Sequence, residues 1–187
     1  MKKDLKFKKK IFGPAFRKII RPVLQKYKIR KVSPSIIKEY DKPDSDNLKL
    51  VGFLQIHNEK QKGNLKRVLK HMKRFCNEIV VYDDGSTDGS VDLASQYTDY
   101  IIKGAYNDFV HELEHKQKLL TLALSLNPDW IVWLDADEVF DRNGELFAIR
   151  ALCQYGKTNG IDGFSFQEFN LWKKPDQYRV DEQWNKL

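Results

Sequence analysis

Cysteine is scarce in this chain of 187 residues, Cys76 and Cys153 being the only two. Two thiols without metal-ligand spacing build no disulfide framework, and with four scattered histidines they build no Cys/His zinc site. Both are read as reduced core or helix residues in a reducing compartment. Long apolar runs are missing as well: none reaches the ~18 residues of a membrane-spanning helix. The N-terminal apolar stretch is interrupted by charges and by Pro14 and Pro22, which excludes a secretory signal. No internal repeat is present.

What the chain does contain is a hydrophobic fraction of 41% and an aromatic fraction of 12%, enough for one substantial core with appendages. The net charge of +7 hides a division. Residues 1–31 hold thirteen Lys/Arg against one acid, a net of +12, and the remainder holds twenty against twenty-five, a net of −5. Within this basic arm Phe12, Phe16, Ile19, Ile20 and Val23 fall at helical spacing, opposite Arg17, Lys18 and Arg21. Such a segment can lie in the headgroup layer of an anionic cytoplasmic leaflet, where each Lys or Arg contributes about 1 kcal/mol. A solvated, disordered terminus is the other reading. Nucleic acid is not an expected partner, because the arm carries no recognition module and the acidic remainder repels phosphate. Lys42-Pro43-Asp44-Ser45-Asp46-Asn47 reads as a linker. The organisation expected is therefore an amphipathic basic arm with its linker over 1–47 and a folded domain over 48–187.

Strands and helices alternate through the domain. Leu50–Ile56 is a strand, and Gly63–Phe75 a helix with Leu65, Val68, Leu69, Met72 and Phe75 on one face. Ile79–Tyr82 is a second strand, Asp88 a cap for a helix through Val91, Leu93 and Ala94, and Tyr100–Ile102 a short third strand. A helix over Glu112–Leu126 stops at Asn127-Pro128, and Trp130–Leu134 is a fourth strand. Glu145–Tyr155 predicts a further helix and Gly163–Trp172 a long strand. Such alternation implies an α/β fold with a parallel sheet covered by helices on both faces.

Two of these strands end abruptly in acids. Val80-Val81-Tyr82 runs into Asp83-Asp84-Gly85-Ser86-Thr87-Asp88, and Trp130-Ile131-Val132-Trp133-Leu134 into Asp135-Ala136-Asp137-Glu138. In an open parallel sheet ligands bind beyond the carboxyl ends of the strands. Asp83, Asp84, Asp135 and Asp137 are therefore expected on the rim of one crevice. Four acids there repel one another unless a cation sits among them, and a divalent ion bound to a phosphorylated ligand is the natural candidate. The Asp-Gly-Ser-Thr-Asp element is also a good turn followed by a helix cap, which requires no ligand.

These residues resemble the family 2 glycosyltransferases, whose nucleotide-sugar-binding fold is called GT-A. Its landmarks correspond to Tyr82-Asp83-Asp84-Gly85-Ser86-Thr87-Asp88, to Asp135-Ala136-Asp137, and to a first strand that runs into His57-Asn58-Glu59. The resemblance covers roughly Leu48 to Phe169. It implies a three-layer α/β sandwich with a mostly parallel central sheet. It also implies transfer of a sugar, with inversion, from a nucleoside diphosphate sugar (UDP-sugar favoured) to a glycan or lipid-linked acceptor, with Mg²⁺ or Mn²⁺. By the same match Asp137 is the expected metal ligand, and Asp135 touches the ribose or the ion. Asp83 or Asp84 meets base and ribose, and Asn58 and Glu59 stand at the nucleoside. Lys116 aligns where a cation could meet the diphosphate, or it is an exposed helical lysine. A cytoplasmic location, peripheral on the membrane face, follows from the resemblance together with the basic arm.

Other readings of single residues remain. Trp130 and Trp133 are taken as core. His57, His71, His111 and His115 have no evident catalytic partner, and His111 and His115 lie one helical turn apart on an exposed stretch. Asp135 and Asp137 also resemble the Asp-x-Asp strand of haloacid dehalogenase-type phosphatases, in which Asp135 would be the nucleophile. Such a strand opens its domain, however, and the further motifs it needs do not follow Asp137. A nucleotidyltransferase would carry a glycine-rich basic loop near the first strand, where Gly52 stands alone. Only Asp181 and Glu182 form a late acidic pair, and neither is assigned as the base that an inverting transfer needs. The chain is accordingly also read as a truncated, non-catalytic nucleotide-sugar-binding domain.

Overall fold

The computed structural model describes residues 47–140, 146–166, 171–172 and 174–178. The basic arm and Asp181-Glu182 lie outside the described residues. The chain divides into two units. The larger, Arg30–Ile161, contains a four-stranded sheet built from β1 (Leu50–Ile56), β2 (Glu78–Asp83), β3 (Ile101–Lys103) and β4 (Trp130–Trp133). The strand order is β3-β2-β1-β4, and every pairing is parallel. Between the strands run α1 (Asn64–Met72), α2 (Ser90–Ala94) and α3 (Glu112–Ser125), and α4 (Leu146–Asn159) follows β4.

Alternation along the strands sorts side chains to two faces, because successive residues of a strand point to opposite sides. Leu50, Leu54, Ile79, Val81 and Val132 pack with Leu65, Val68, Leu69 and Met72 of α1, Ala94 of α2 and Ile149 and Cys153 of α4. Val51, Phe53, Val80 and Tyr82 face the opposite way, against Leu119 and Ala123 of α3. The apolar residues of α1 recur at i, i+3, i+4 and i+7, which is the stripe of a helix that buries one face. The continuous apolar β1 and β2 segments are explained by this double burial. Gly52 sits in a tight place within β1, where a Cβ would lie 3.3 Å from each of Cys76 Sγ, Ile79 and Met72, so that a side chain there would have to shift its neighbours.

Helix α3 ends where Asn127 takes a left-handed conformation (φ 50°) ahead of Pro128, which cannot continue a helix. Arg150 of α4 ties the far end of the sheet together, donating to the carbonyls of Phe75 (2.6 Å) and Leu48 (2.5 Å). Cys76 and Cys153 are free and buried, as expected, and burial pushes both thiols up to about 12. Since the thiolate is the reactive species, both are expected to resist a thiol-directed reagent in the native protein and to react fully in denaturant. Rapid native labelling would show that this core opens.

One element differs from its sequence pattern. The long strand expected over Gly163–Trp172 does not form through Gly163–Phe166, which is irregular. Instead β5 (Leu171–Trp172) and β6 (Lys174–Tyr178) pair antiparallel as a two-stranded sheet in the second unit. Alternating aromatics at Phe164 and Phe166 satisfy a strand pattern, but a strand also needs a partner ladder, and none forms with 163–166 among the described residues.

Candidate functional site

Parallel pairing places all four strand ends at one edge of the sheet. Ile56 lies opposite Asp83, Phe53 opposite Trp133 and Asp83 opposite Lys103. The segments leaving that edge are His57–Glu59, Asp84–Asp88, Gly104–Asp108 and Leu134–Asp137. The first two are stitched together closely. Asn58, in a left-handed conformation (φ 51°), donates its N–H to Ser86 Oγ (2.9 Å) and accepts from Thr87 N–H at Oδ1 (2.8 Å). Ser90 Oγ accepts from the N–H groups of Glu59 and Lys60, both at 3.0 Å. Asp88 accepts from Ser90 N–H (2.9 Å) and from Gln61 N–H (3.0 Å), but it is not the cap expected: Gly89, in a left-handed conformation (φ 81°), is the N-cap of α2, and Asp88 instead closes a turn two residues long ahead of it. His57 Nδ1 donates to the Asp84 carbonyl (2.7 Å), which leaves Nε2 to accept from the Asn58 amide (3.1 Å).

Asp83 and Asp84 do not lie on the rim. They are 2% and 1% exposed. Asp83 Oδ2 accepts from Ser86 N–H (3.0 Å), and its Oδ1 is buried without a hydrogen-bond partner among the described residues. Asp84 Oδ2 accepts from the Asn107 amide (3.0 Å) and Oδ1 from Asp108 N–H (2.9 Å), so this carboxylate anchors the segment after β3. His115 Nδ1 stands 3.6 Å from Asp84 Oδ1, and its ring stacks on Tyr82 with centroids 4.4 Å apart. His115 is buried, not exposed as its sequence neighbourhood suggested. The turn is tight: a Cβ on Gly85 (φ +67°) would sit 2.3 Å from the Tyr106 carbonyl carbon.

Asp135 and Asp137 are the acids that solvent reaches. Partial burial pushes the Asp135 carboxyl above the ordinary carboxylate value; the Lys116 charge and a hydrogen bond from Trp133 oppose this, while Asp137 and Glu112 add to it. Lys116 is therefore no free surface lysine. Its ammonium pairs with Glu112 and lies 4.9 Å from the Trp133 ring centroid, with its side chain only 16% exposed. Trp133 in turn packs on Phe53 at 4.6 Å between centroids. The Asp137 backbone carbonyl accepts from Arg67 (3.0 Å), while its carboxylate accepts no hydrogen bond from a described residue.

Two contacts join these groups. Adjacent residues of α3 serve different strand ends, His115 facing Asp84 and Lys116 the charge of Asp135. Lys62, bonded to Glu59 at 2.6 Å, is held above the usual lysine value chiefly by that hydrogen bond, and the charges of Glu59, Asp137 and Asp88 add to it. Loops after β1, β2 and β4 thus share one electrostatic neighbourhood. Trp133 is read from the sequence as core and His115 as lacking a catalytic partner, while Asn107 and Glu112 carry no sequence signal for the site. For His115 the signal was its spacing of four from Leu119 and eight from Ala123, the buried stripe of α3.

No cluster of three or more His, Cys, Asp or Glu residues able to hold a metal ion exists among the described residues. The donor set on offer is the pair Asp135 and Asp137. Mg²⁺ and Mn²⁺ suit such a set, because Mg²⁺ sites commonly use one or two carboxylates and fill the rest with phosphate oxygens and water. No helix among the described residues is long and apolar enough to cross a membrane.

A sequence profile described as "Glycosyl transferase family 2" matches residues 53–184. The chain is similar to the "SPbeta prophage-derived glycosyltransferase SunS" of Bacillus subtilis (strain 168), 28% identical over 113 residues. The "Glycosyltransferase SunS" of Bacillus phage SPbeta matches at the same 28% over 113 residues. Each match takes in 59% of this chain and 25% of the relative, so the chain spans about a quarter of the length of the curated relatives it matches.

Proposed function

Because the chain belongs to glycosyl transferase family 2, we propose that residues 48–187 form a GT-A-type domain that binds a nucleoside diphosphate sugar, a UDP-sugar by preference. The sugar passes with inversion to a glycan or lipid-linked acceptor. The observation that carries the reading is the family match laid over a parallel sheet whose loop ends share one edge, with Asp135, Asp137 and Lys116 on it.

Asp137, whose carboxylate accepts no hydrogen bond from a described residue, is the metal ligand of this proposal, with Asp135 beside it as ribose or second metal contact. Bound there, Mg²⁺ or Mn²⁺ supplies the charge that neutralises the departing diphosphate. Trp133 orients Asp135 through its indole N–H, and Lys116 is the cation placed for the diphosphate. Asp83, with one oxygen unpartnered among the described residues, is the member of its pair left for the nucleoside. Asp84 holds the neighbouring segment in place. Asn58 and Glu59 shape the nucleoside end through the loop they brace. The basic arm places the protein on the cytoplasmic face of a membrane, and nucleic acid is not a partner.

Calorimetric titration with nucleoside diphosphates in Mn²⁺ tests this. UDP is expected to bind most tightly, and failure of every nucleoside diphosphate to bind would overturn the assignment.

A further inference from the structure

The segment between β3 and α3 presents apolar side chains to which the proposed donor site assigns no role. Three of its large apolar side chains stand in solvent within five positions: Tyr106 is 69% exposed, Phe109 66% and Val110 90%. Isolated apolar residues on a surface are ordinary, but a concentrated apolar group marks a contact site. This tip is anchored by hydrogen bonds. The Asn107 amide and the Asp108 N–H donate to the buried Asp84 carboxylate, Gly104 N–H donates to the Asp83 carbonyl (2.7 Å), and Gly85 lies against the backbone of Tyr106. With the chain tied to Asp84 at 107 and 108, the flanking Tyr106, Phe109 and Val110 stand exposed.

The charges around the tip select the partner. Lys103 and Lys118 are exposed and line, with Tyr106 and His115, an open groove of about 260 Å³ beside it. Of the nearby acids, Asp108 pairs with His111 at 2.8 Å, which raises the imidazole pKa, and Glu112 pairs with Lys116, while Glu114 stands exposed one helical turn before Lys118. Exposed aromatic and aliphatic side chains beside exposed lysines match an anionic lipid surface, with apolar groups at the acyl boundary and cations among the headgroups. Residues 1–31 carry a net charge of +12. A polybasic arm alone gives reversible attachment, and stable attachment takes a second, apolar signal.

We propose that Tyr106, Phe109 and Val110 are that second signal, a membrane-contacting tip that enters the headgroup layer of an anionic bilayer. The tip leaves the same edge of the sheet as the acids, so docking turns that edge toward the lipid.

The test uses the full chain with vesicles of phosphatidylcholine plus phosphatidylglycerol, and of phosphatidylcholine alone. At about 0.5 M salt the arm is screened, and binding to the mixed vesicles then reports the tip. Phe109→Ser with Val110→Ser is expected to lower that binding at least about tenfold. A Val110→Trp variant is expected to shift its fluorescence to the blue on mixed vesicles. UDP binding by the double variant is expected to match the parent, which keeps this test separate from the donor-site assignment. Equal vesicle binding by parent and double variant at high salt overturns the proposal. So does a dimer of the parent chain that the double variant dissociates without change in vesicle binding, since the tip would then join two copies.

Discussion

Asp137→Ala is expected to cost at least about 100-fold in Mn²⁺-dependent UDP affinity while leaving the melting temperature nearly unchanged. Loss of a residue that merely supports a metal ligand costs 10–100-fold in affinity, and loss of a ligand costs more. The fold is indifferent because the Asp137 carboxylate accepts no hydrogen bond from a described residue, while the backbone carbonyl that holds Arg67 is untouched by the substitution. Removing one of two neighbouring acids also relieves repulsion, since Asp137 is among the charges that raise the Asp135 carboxyl. Calorimetry in Mn²⁺ and in chelator, with a melting curve beside it, reads both halves. A collapsed fold would make Asp137 a structural acid. Unchanged UDP binding would remove it from the site.

Asp84→Ala is expected to behave in the opposite way, losing stability first. The carboxylate is 1% exposed and accepts from the Asn107 amide and Asp108 N–H, with His115 at 3.6 Å. Truncation removes the acceptor that the half-buried Asp108 N–H and the Asn107 amide share, a defect that typically costs about 1–3 kcal/mol. For a chain of this size that is a fall of roughly 2–12 °C in melting temperature. Asp84→Asn, which keeps the shape and one acceptor oxygen, is expected to fall between the two. Should Asp84→Ala melt normally and lose only UDP affinity, the carboxylate meets the nucleoside directly and its anchoring role is wrong.

The contrast between these two aspartates shows what the sequence makes legible. Strand ends, helix faces and the parallel order follow from local pattern. The apolar stripe Leu65, Val68, Leu69 and Met72 and the unbroken Ile79–Tyr82 run each find the burial they predict. Acids at the tips of β2 and β4 look alike in one dimension. They differ in three dimensions because residues 104–108 fold back over Asp84, while no described residue hydrogen-bonds the carboxylate of Asp137. A contact between positions 23 or 24 residues apart leaves no periodic trace. His115 was hidden for a related reason: the charged residues around it suggest solvent, and only its register with Leu119 and Ala123 shows the buried face. Lys116 carried the reverse ambiguity, an ordinary helical lysine by pattern that the fold brings over Trp133 and into the field of Asp135.

The central claim is that Asp135 and Asp137 hold a divalent ion against a donor diphosphate at the carboxyl edge of the sheet. A crystal of the full chain grown with UDP and Mn²⁺, measured at the manganese absorption edge, addresses it directly. One anomalous peak within coordination distance of the Asp137 carboxylate and of diphosphate oxygens is the predicted result. UDP bound with no manganese at that edge, or manganese bound on another surface, would contradict it.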